Sequence, residues 1–509
     1  MAMHHVAQFA DLKEDRPTPV TIGDTQLVLI RIADQIRAYQ GECPHAGAPL
    51  ADGAICSGSL ICPWHKAAFA IDDGGLREPP ALDSLQRYPA SVEGGRVVVD
   101  DQPLSISRPA ALPDRRYFVI VGGGAAGTAA ASALREQGFT GRLALIDPQE
   151  EPGYDRTALS KFVIAGDMQP NEVPALRDES FYLDENIQRI QAAVTRLDAQ
   201  NKQITLNTGE RIDYDAALIA TGGIPKELTL PGADLPQVLT LRSRDDAAAV
   251  LDAAQPDANA VIIGDSFIGL EAASALRKRG LAVTVLARHE TPFLAQFGER
   301  IGTAIRRLHE QNGVLFRTHV EAMRFTGEHA LEYVVLDSSE RLPADLVLVG
   351  TGVRPATDFV QGLKRHEDGS LIADSGMQVC DSLWAAGDMT TFPVAGSTVR
   401  SEHWRLAQQQ ARIAAHNMLG GHVQFADVPF FWTFHFGKRI DYLGRAEQWD
   451  NIVYLGEPER FEFIALICKD GLVAAAVACQ YERPMALLAE RMKQPLGVDE
   501  ALDLIKKAE

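Results

Sequence analysis

The sequence predicts an all-β module, then an α/β body built on two parallel sheets, then a closing α+β domain. Three observations carry this. Residues 1–105 hold short strand-like runs and turns with no long helical pattern. A strand, glycine turn and helix beginning at 117 recurs 142 residues later (264 minus 122). From about residue 423 the pattern returns to strands, and runs of strands flanking repeated βα units read as separate layers.

Within the first module stand Cys43-Pro44-His45 and Cys62-Pro63-Trp64-His65, with sixteen residues between His45 and Cys62. Two thiols and two imidazoles on two loops form a metal-binding donor set. The spacing resembles a Rieske [2Fe–2S] centre, in which two thiolates hold one iron and two imidazoles the other. That resemblance implies Cys43, His45, Cys62 and His65 as ligands. Ala48 and Trp64 stand where respiratory-type Rieske proteins carry stapling cysteines. The module is therefore similar to the soluble ferredoxin type, and a potential low in the Rieske range is expected. A structural zinc ion is satisfied by the same Cys₂His₂ set. Cys56 reads as a small buried side chain. Residues 101–116, rich in Pro and Ser, read as a linker.

The run Tyr117–Val121 is apolar and β-branched, as a buried parallel strand requires. Gly122, Gly124 and Gly127 follow at G-x-G-x-x-G spacing and open an alanine-rich helix. A second strand over 143–146 ends at Asp147, twenty residues after Gly127. The glycines let backbone approach a pyrophosphate at a helix N-terminus, and the acid accepts from a ribose hydroxyl, which predicts a dinucleotide site. In the second unit a strand over 260–263 leads into Gly264, Ser266 and Gly269, with a helix over 270–279. Its next strand, 282–286, ends at Ala287 rather than at an acid, and Arg288 and His289 follow. That leans toward the 2′-phosphate of NADPH, while Glu290 is still in reach of a ribose; NADH and NADPH both stay open. Ala220-Thr221-Gly222-Gly223, Gly350-Thr351-Gly352 and Trp384-Ala385-Ala386-Gly387-Asp388 each close an apolar strand with glycine, where backbone can approach a cofactor. Beyond 423 come strands over 461–468 and 472–480, then a helix over 484–492.

The order of these pieces resembles the flavoprotein disulfide-reductase architecture, in which a Rossmann-like NAD(P)-binding domain is inserted into an FAD-binding one. Gly153-Tyr154-Asp155-Arg156 with Leu159-Ser160-Lys161 resembles the flavin-contacting segment of ferredoxin reductases and apoptosis-inducing-factor relatives. Glu402-His403-Trp404 and Pro429-Phe430-Phe431-Trp432 match later flavin-side segments of that group. A Rieske module ahead of such a flavoprotein is the layout of the Rieske-bearing, apoptosis-inducing-factor-like subgroup, and the likeness covers essentially the whole chain. It implies that Asp388 binds the FAD ribityl chain and that Arg156, Lys161 and Trp404 border the isoalloxazine. It also implies that Lys161 pairs with Glu271 near flavin N5, and that Trp432 touches the cofactor region from the last domain. The departures are Gly153 and Thr157, where prolines are usual, and Ala287. The expected division is a Rieske domain over 1–105, a linker over 106–116, FAD-binding parts over 117–244 and 371–422, an NAD(P)-binding domain over 245–370, and a C-terminal reductase domain over 423–509. The flavin-type body gives an iron cluster a use, which favours iron over zinc.

The expected activity is NAD(P)H-dependent FAD oxidoreduction, with electrons passed to the chain's own cluster and on to an external acceptor such as an oxygenase or another redox protein. Two other readings are an NAD(H)-sensing interaction protein and the electron-input part of a nitrite-reductase-like system. No Cys-x-x-Cys exists, which excludes disulfide-reductase chemistry. A net charge of −19 argues against nucleic acid and anionic membranes as partners. No run of eighteen apolar residues exists, and residues 1–17 lack a signal peptide's pattern, so a cytoplasmic location is expected. A homodimer is compatible with the sequence. Six cysteines in 509 residues are not a disulfide framework. If Asp470-Gly471 is a two-residue hairpin loop, Cys468 falls near Val473 and Cys479 near Glu462, and the two do not meet.

Overall fold

The computed structural model describes residues 3–105, 113–394 and 397–508, so most of the expected linker lies outside the described residues. The first module is all β, in three small antiparallel sheets with only 3₁₀ turns between strands. Its centre is apolar, with Val28, Ile30, Leu60 and Phe69 fully buried beside Cys43 and Cys62.

The first dinucleotide unit forms a sheet of six strands among the described residues. Tyr117–Val121 lies between Arg142–Asp147 and Ala216–Ile219, all parallel, with Leu383–Ala385 beyond. The helix Ala125–Glu136 packs on the helix Trp404–Met418 through Ala126, Ala129, Ala130 and Ala133 facing Ala407, Ala411 and Ala414. Small side chains let the helices approach closely above the strand ends. The second unit is a parallel sheet ordered Val238–Leu239, Leu346–Val349, Asn259–Ile263, Ala282–Ala287 and Val314–Thr318. Two short connections tie the units together. Gly223–Pro225 pairs with Val353–Pro355, and Val360–Gln361 already lies beside Leu197–Asp198. The strands thus switch sheets on both sides of the second unit, ahead of the expected division at 370.

The C-terminal domain is an antiparallel sheet ordered Phe430–His435, Lys438–Gly444, Leu472–Cys479, Glu462–Lys469 and Asn451–Glu457. The helix Glu482–Arg491 covers the place expected over 484–492, and a further helix, Val498–Ala508, packs Ala501 and Ile505 into the same core. Asp470 and Gly471 both take positive φ, as a two-residue hairpin loop requires. Cys468 pairs with Val473 and Cys479 with Phe463, next to Glu462, so the two cysteines do not meet, as expected. A bulge between Ile467 and Cys468 advances the register by one residue. All six cysteines are free, and no described helix is long and apolar enough to cross a membrane.

Buried charge joins the first module to the rest. Lys66 Nζ sits 2.9 Å from Asp441, and neither side chain is more than 7% exposed. Arg405 donates to the carbonyls of Pro79 at 2.8 Å and Lys66 at 3.0 Å, and pairs with Glu78 at 3.3 Å. Ala486 of the C-terminal domain packs against Ala54, Ile61 and Ala68.

Lys493 adds a second cation, 3.0 Å from Glu78, 3.6 Å from Asp427 and 3.1 Å from Glu490. Three carboxyls thus face two cations, and one retained proton balances the cluster. Burial and a hydrogen bond with Glu78 push Asp427 up to about 8. Burial alone would raise Glu78 as well, but the bond from Asp427 and the charges of Arg405 and Lys493 outweigh it and hold Glu78 at about 2. In an unfolded chain both carboxyls titrate near pH 4. The folded pair therefore holds one proton more than the unfolded chain between roughly pH 4.5 and 8, so stability falls as pH rises through that window. Below roughly pH 4 the sign reverses, because unfolding then takes up a proton. Thermal melts should show the wild-type midpoint dropping from pH 5 to pH 8. Asp427→Asn, which keeps a donor at every pH, should show a smaller drop.

Candidate flavin and cluster site

One cavity of about 710 Å³ gathers residues from every part of the fold. The loops that follow Tyr117–Val121, Ala216–Ile219 and Leu383–Ala385 bring Gly124, Thr221, Gly222 and Asp388 to its wall. Gly122 has φ +105° and lies so close to Ala220 that a Cβ would fall 2.4 Å from its carbonyl oxygen. A Cβ on Gly127 would fall 1.8 Å from the Gly122 oxygen. Above Gly124, the N-cap of the helix Ala125–Glu136, a Cβ would meet nothing within 4 Å, which leaves the helix N-terminus open to an anion. Asp147 accepts from Gly123 N–H at 2.5 Å and from Gln149 N–H at 2.8 Å, which fixes its carboxylate at the turn. Gly153 has its own reason: a Cβ there would fall 2.0 Å from the Gly123 oxygen.

Arg156 donates to Gln149 Oε1 at 3.0 Å and to the Arg242 carbonyl at 3.3 Å. Thr221 donates to the Ala356 carbonyl at 2.7 Å. Asp388 pairs with Arg242 at 3.0 Å. Glu402 pairs with Arg400 at 2.9 Å, yet burial and nearby Asp388 raise its pKa. His403 caps the helix Trp404–Met418 against Phe431, and burial lowers it to about 4. Its Nδ1 and Trp404 Nε1 are buried without a hydrogen-bond partner, and both residues line the cavity. Unspent polar atoms, an open helix N-terminus and an acid at the turn suit a bound dinucleotide, so the residues present fit FAD.

Lys161 lies on a short π-helical turn, Leu159–Val163, with Nζ 3.1 Å from Glu271 Oε2. Neither side chain exceeds 6% exposure, so this is no solvated surface pair. Ser160 donates to the same oxygen at 2.5 Å, while Glu271 Oε1 accepts from Thr433 at 2.7 Å. The ammonium stands 4.6 Å over the Trp432 ring.

The second fingerprint keeps its turn with Gly264 at φ +103°, and a Cβ on Gly269 would fall 2.3 Å from the Gly264 oxygen. Ser266 caps the helix Phe267–Lys278, accepting from Gly269 N–H at 3.1 Å and donating to the Gly350 carbonyl at 2.9 Å. The hydroxyl thus does capping work that the middle glycine cannot. Gly352 takes φ +92° with open space above it. Arg288 and His289 are exposed just beyond Ala282–Ala287 and do not line the cavity. Glu290 is engaged by Arg306 at 2.6 Å and Thr318 at 2.9 Å.

The two metal loops match one another. Cys43 N–H bonds the Ala48 carbonyl and Cys62 N–H the Ala67 carbonyl, each at 2.8 Å. Cys43 and Cys62 are both buried, while His45 Nδ1 and His65 Nδ1 stand 3.1 Å apart. Burial lowers both imidazoles, favouring the neutral form that ligates. Among the described residues no three such side chains gather as for a single metal ion. Two sulfurs paired with two imidazoles is the donor pattern of a two-iron cluster, so the loops fit [2Fe–2S].

His45 and His65 line the same cavity as Lys161 and Asp388. The His65 and Trp432 ring centroids are 5.6 Å apart. Arg439 spans them, with Nη1 3.5 Å from His65 Nε2 and its guanidinium 4.7 Å over Trp432. Arg242, Thr433 and Arg439 carry no motif of their own; strand pairing and helix packing alone bring them here.

A family model described as pyridine nucleotide-disulphide oxidoreductase matches residues 117–411, and one described as Rieske [2Fe-2S] domain matches 2–89. Apoptosis-inducing factor 3 of Mus musculus is 34% identical over 507 residues, covering 95% of this chain and 83% of that protein. The biphenyl dioxygenase system ferredoxin–NAD(+) reductase component of Paraburkholderia xenovorans is 36% identical over 374 residues, covering 73% of this chain and 91% of its own length. The ferredoxin reductase for the CYP199A2 system of Rhodopseudomonas palustris superposes with a TM-score of 0.72 at 28% identity, covering 78% of this chain and all of that one.

Lys161→Met would strand Glu271 as an unpaired buried charge, at a cost of about 3–5 kcal/mol. Urea or thermal unfolding should register that loss. Lys161→Met combined with Glu271→Gln should recover most of it.

Proposed function

The chain belongs to the pyridine nucleotide-disulphide oxidoreductase family, with a Rieske [2Fe-2S] domain ahead of it, and from that premise we propose an internal relay. Electrons from NAD(P)H pass through FAD to the chain's own cluster and on to an external redox partner. The observation that supports this is the shared cavity, in which cluster-ligand candidates and flavin-side residues face each other within one chain. When bound, FAD converts a two-electron hydride donation into single electrons, and the cluster carries these one at a time.

The chain's own residues do the rest. Gly124 at its helix N-terminus and Asp147 at the turn would hold the FAD pyrophosphate and ribose, and Asp388 the ribityl chain. The helix capped by Ser266 would receive the nicotinamide cofactor. Lys161, held by Glu271, sets a fixed positive charge in the wall, opposite the negative charge that reduction brings. Phe267, Phe431 and Phe434 line the same cavity and exclude water around that charge, which strengthens its field. Trp432, between Lys161 and His65, fills the space that would otherwise hold solvent between the two centres. Carrying both centres on one chain replaces a micromolar encounter with an effective concentration on the order of millimolar. An oxygenase as final acceptor is supported by the Paraburkholderia relative, whose name places it in a dioxygenase system. For the nicotinamide, Ala287 followed by exposed Arg288, with Glu290 committed to Arg306, supports NADPH.

Under anaerobic NAD(P)H, flavin absorption and a broad cluster shoulder should bleach together. Cys43→Ala should lose iron, keep FAD and its reduction, and lower electron delivery to cytochrome c by about a hundredfold or more. Undiminished delivery without iron would sink the relay. Initial rates with the two nicotinamides test the second point: Arg288→Ala should raise KM for NADPH about tenfold and leave that for NADH unchanged, and a wild-type preference for NADH overturns it.

A further inference from the structure

A chain of buried polar groups runs away from Glu271 on the side opposite Lys161. Thr433 Oγ1 lies 2.7 Å from Glu271 Oε1, His435 Nε2 lies 3.0 Å from Thr433 Oγ1, and His309 Nε2 lies 3.3 Å from His435 Nδ1. Thr433, His435 and His309 are all fully buried. Thr433 and His435 alternate onto one face of Phe430–His435, whereas His309 comes from the helix Leu294–Gln311. The chain ends there, because His309 Nδ1 is buried without a partner, between Phe316 and Phe436. Burial lowers the His435 ring, and the Leu270 backbone works in the opposite sense.

One direction of hydrogen bonding leaves no N–H or O–H of the chain without an acceptor. If Glu271 is a carboxylate it can only accept, so Thr433 spends its single hydrogen on it. The threonine oxygen then accepts from His435 Nε2–H, which leaves His435 Nδ1 bare to accept from His309 Nε2–H. His309 Nδ1 is then an unprotonated nitrogen with nothing to donate. Reversing the direction would place a proton on that nitrogen, making a buried N–H with no acceptor, the rarer and costlier orphan. Ser160 and Lys161 donating to the other Glu271 oxygen agree with the first direction. Burial holds His435 near 3 and His309 well below its ordinary range, so both rings are neutral, as the scheme needs.

We propose that Thr433, His435 and His309 are positioning residues, a one-way chain of donors that fixes the Glu271 carboxylate and through it aims Lys161 into the flavin cavity. This rests on the reading of Lys161 given above. It makes the helix Leu294–Gln311 a support of the charge pair, acting through the C-terminal strand Phe430–His435.

Two measurements on the FAD-loaded full chain test it. Nitrogen NMR of ¹⁵N-histidine protein, assigned with His309→Phe and His435→Phe, should show both rings as neutral Nε2–H tautomers. A proton on His309 Nδ1, or an imidazolium at either ring, overturns the direction. In stopped flow, Thr433→Val should slow flavin reduction about tenfold at saturating nicotinamide, leave nicotinamide affinity unchanged and shift the flavin visible band. Thr433→Ser, which restores the hydroxyl, should return all three to wild type. Should a histidine variant fail to fold, the Thr433→Val and Thr433→Ser pair still decides the question. Wild-type behaviour in Thr433→Val beside a changed Lys161→Met overturns the positioning role alone. Wild-type behaviour in both variants overturns the reading of Lys161 and this proposal with it.

Discussion

Two ion pairs removed from water, Lys66 with Asp441 and Arg405 with Glu78, hold the β module against the rest of the chain, and the shared cavity exists because they do. Buried charges are costly when alone and tolerable only when every partner is in place. Such a junction has one docked arrangement and penalises the near misses. Its position in the chain matters as much as its strength. Lys66 directly follows His65, so anchoring the lysine anchors the ligand loop. In the first loop the matching left-handed residue is Gly47, at φ +72°; in the second it is Lys66, at φ +61°. The lysine accepts a backbone that suits glycine because its ammonium is needed under the loop, where it meets Asp441 and the Pro63 carbonyl.

Parallel sheets supply the other half of the geometry. The ends of Tyr117–Val121, Ala216–Ile219 and Leu383–Ala385 point the same way, so three loops remote in sequence converge at one edge. Glycines after the first of those strands are there because carbonyls press on them, Ala220 on Gly122 and Gly122 on Gly127. The C-terminal sheet then closes the site with Trp432, which touches both sides of it.

What was legible in the sequence followed from local sterics and fixed spacing. The strand Tyr117–Val121, the glycine turns, Asp147 and the two Cys–His loops could be read because each needs only its neighbours. Lys161 and Glu271, 110 positions apart, were legible only through resemblance. Ser266 stands where the first fingerprint has its middle glycine, and only the folded helix shows it to be a cap. The bulge at Ile467 and Cys468 was not legible, since nothing in the flanking sequence announces it. The chain from His309 to Thr433 was invisible for a deeper reason. Each member is an unremarkable residue on its own element, and only the packing of a helix on a strand turns them into a line of hydrogen bonds.

The buried junction also separates two kinds of electrostatics in a protein with net charge −19. Dissolved ions weaken attractions between exposed charges over a Debye length of about 10 Å at 0.1 M, but they cannot enter a desolvated seam. Raising ionic strength would therefore leave the seating of the β module on the flavoprotein intact, while tuning any encounter made by the acidic exterior. Internal and external meetings of this molecule answer to different solvents.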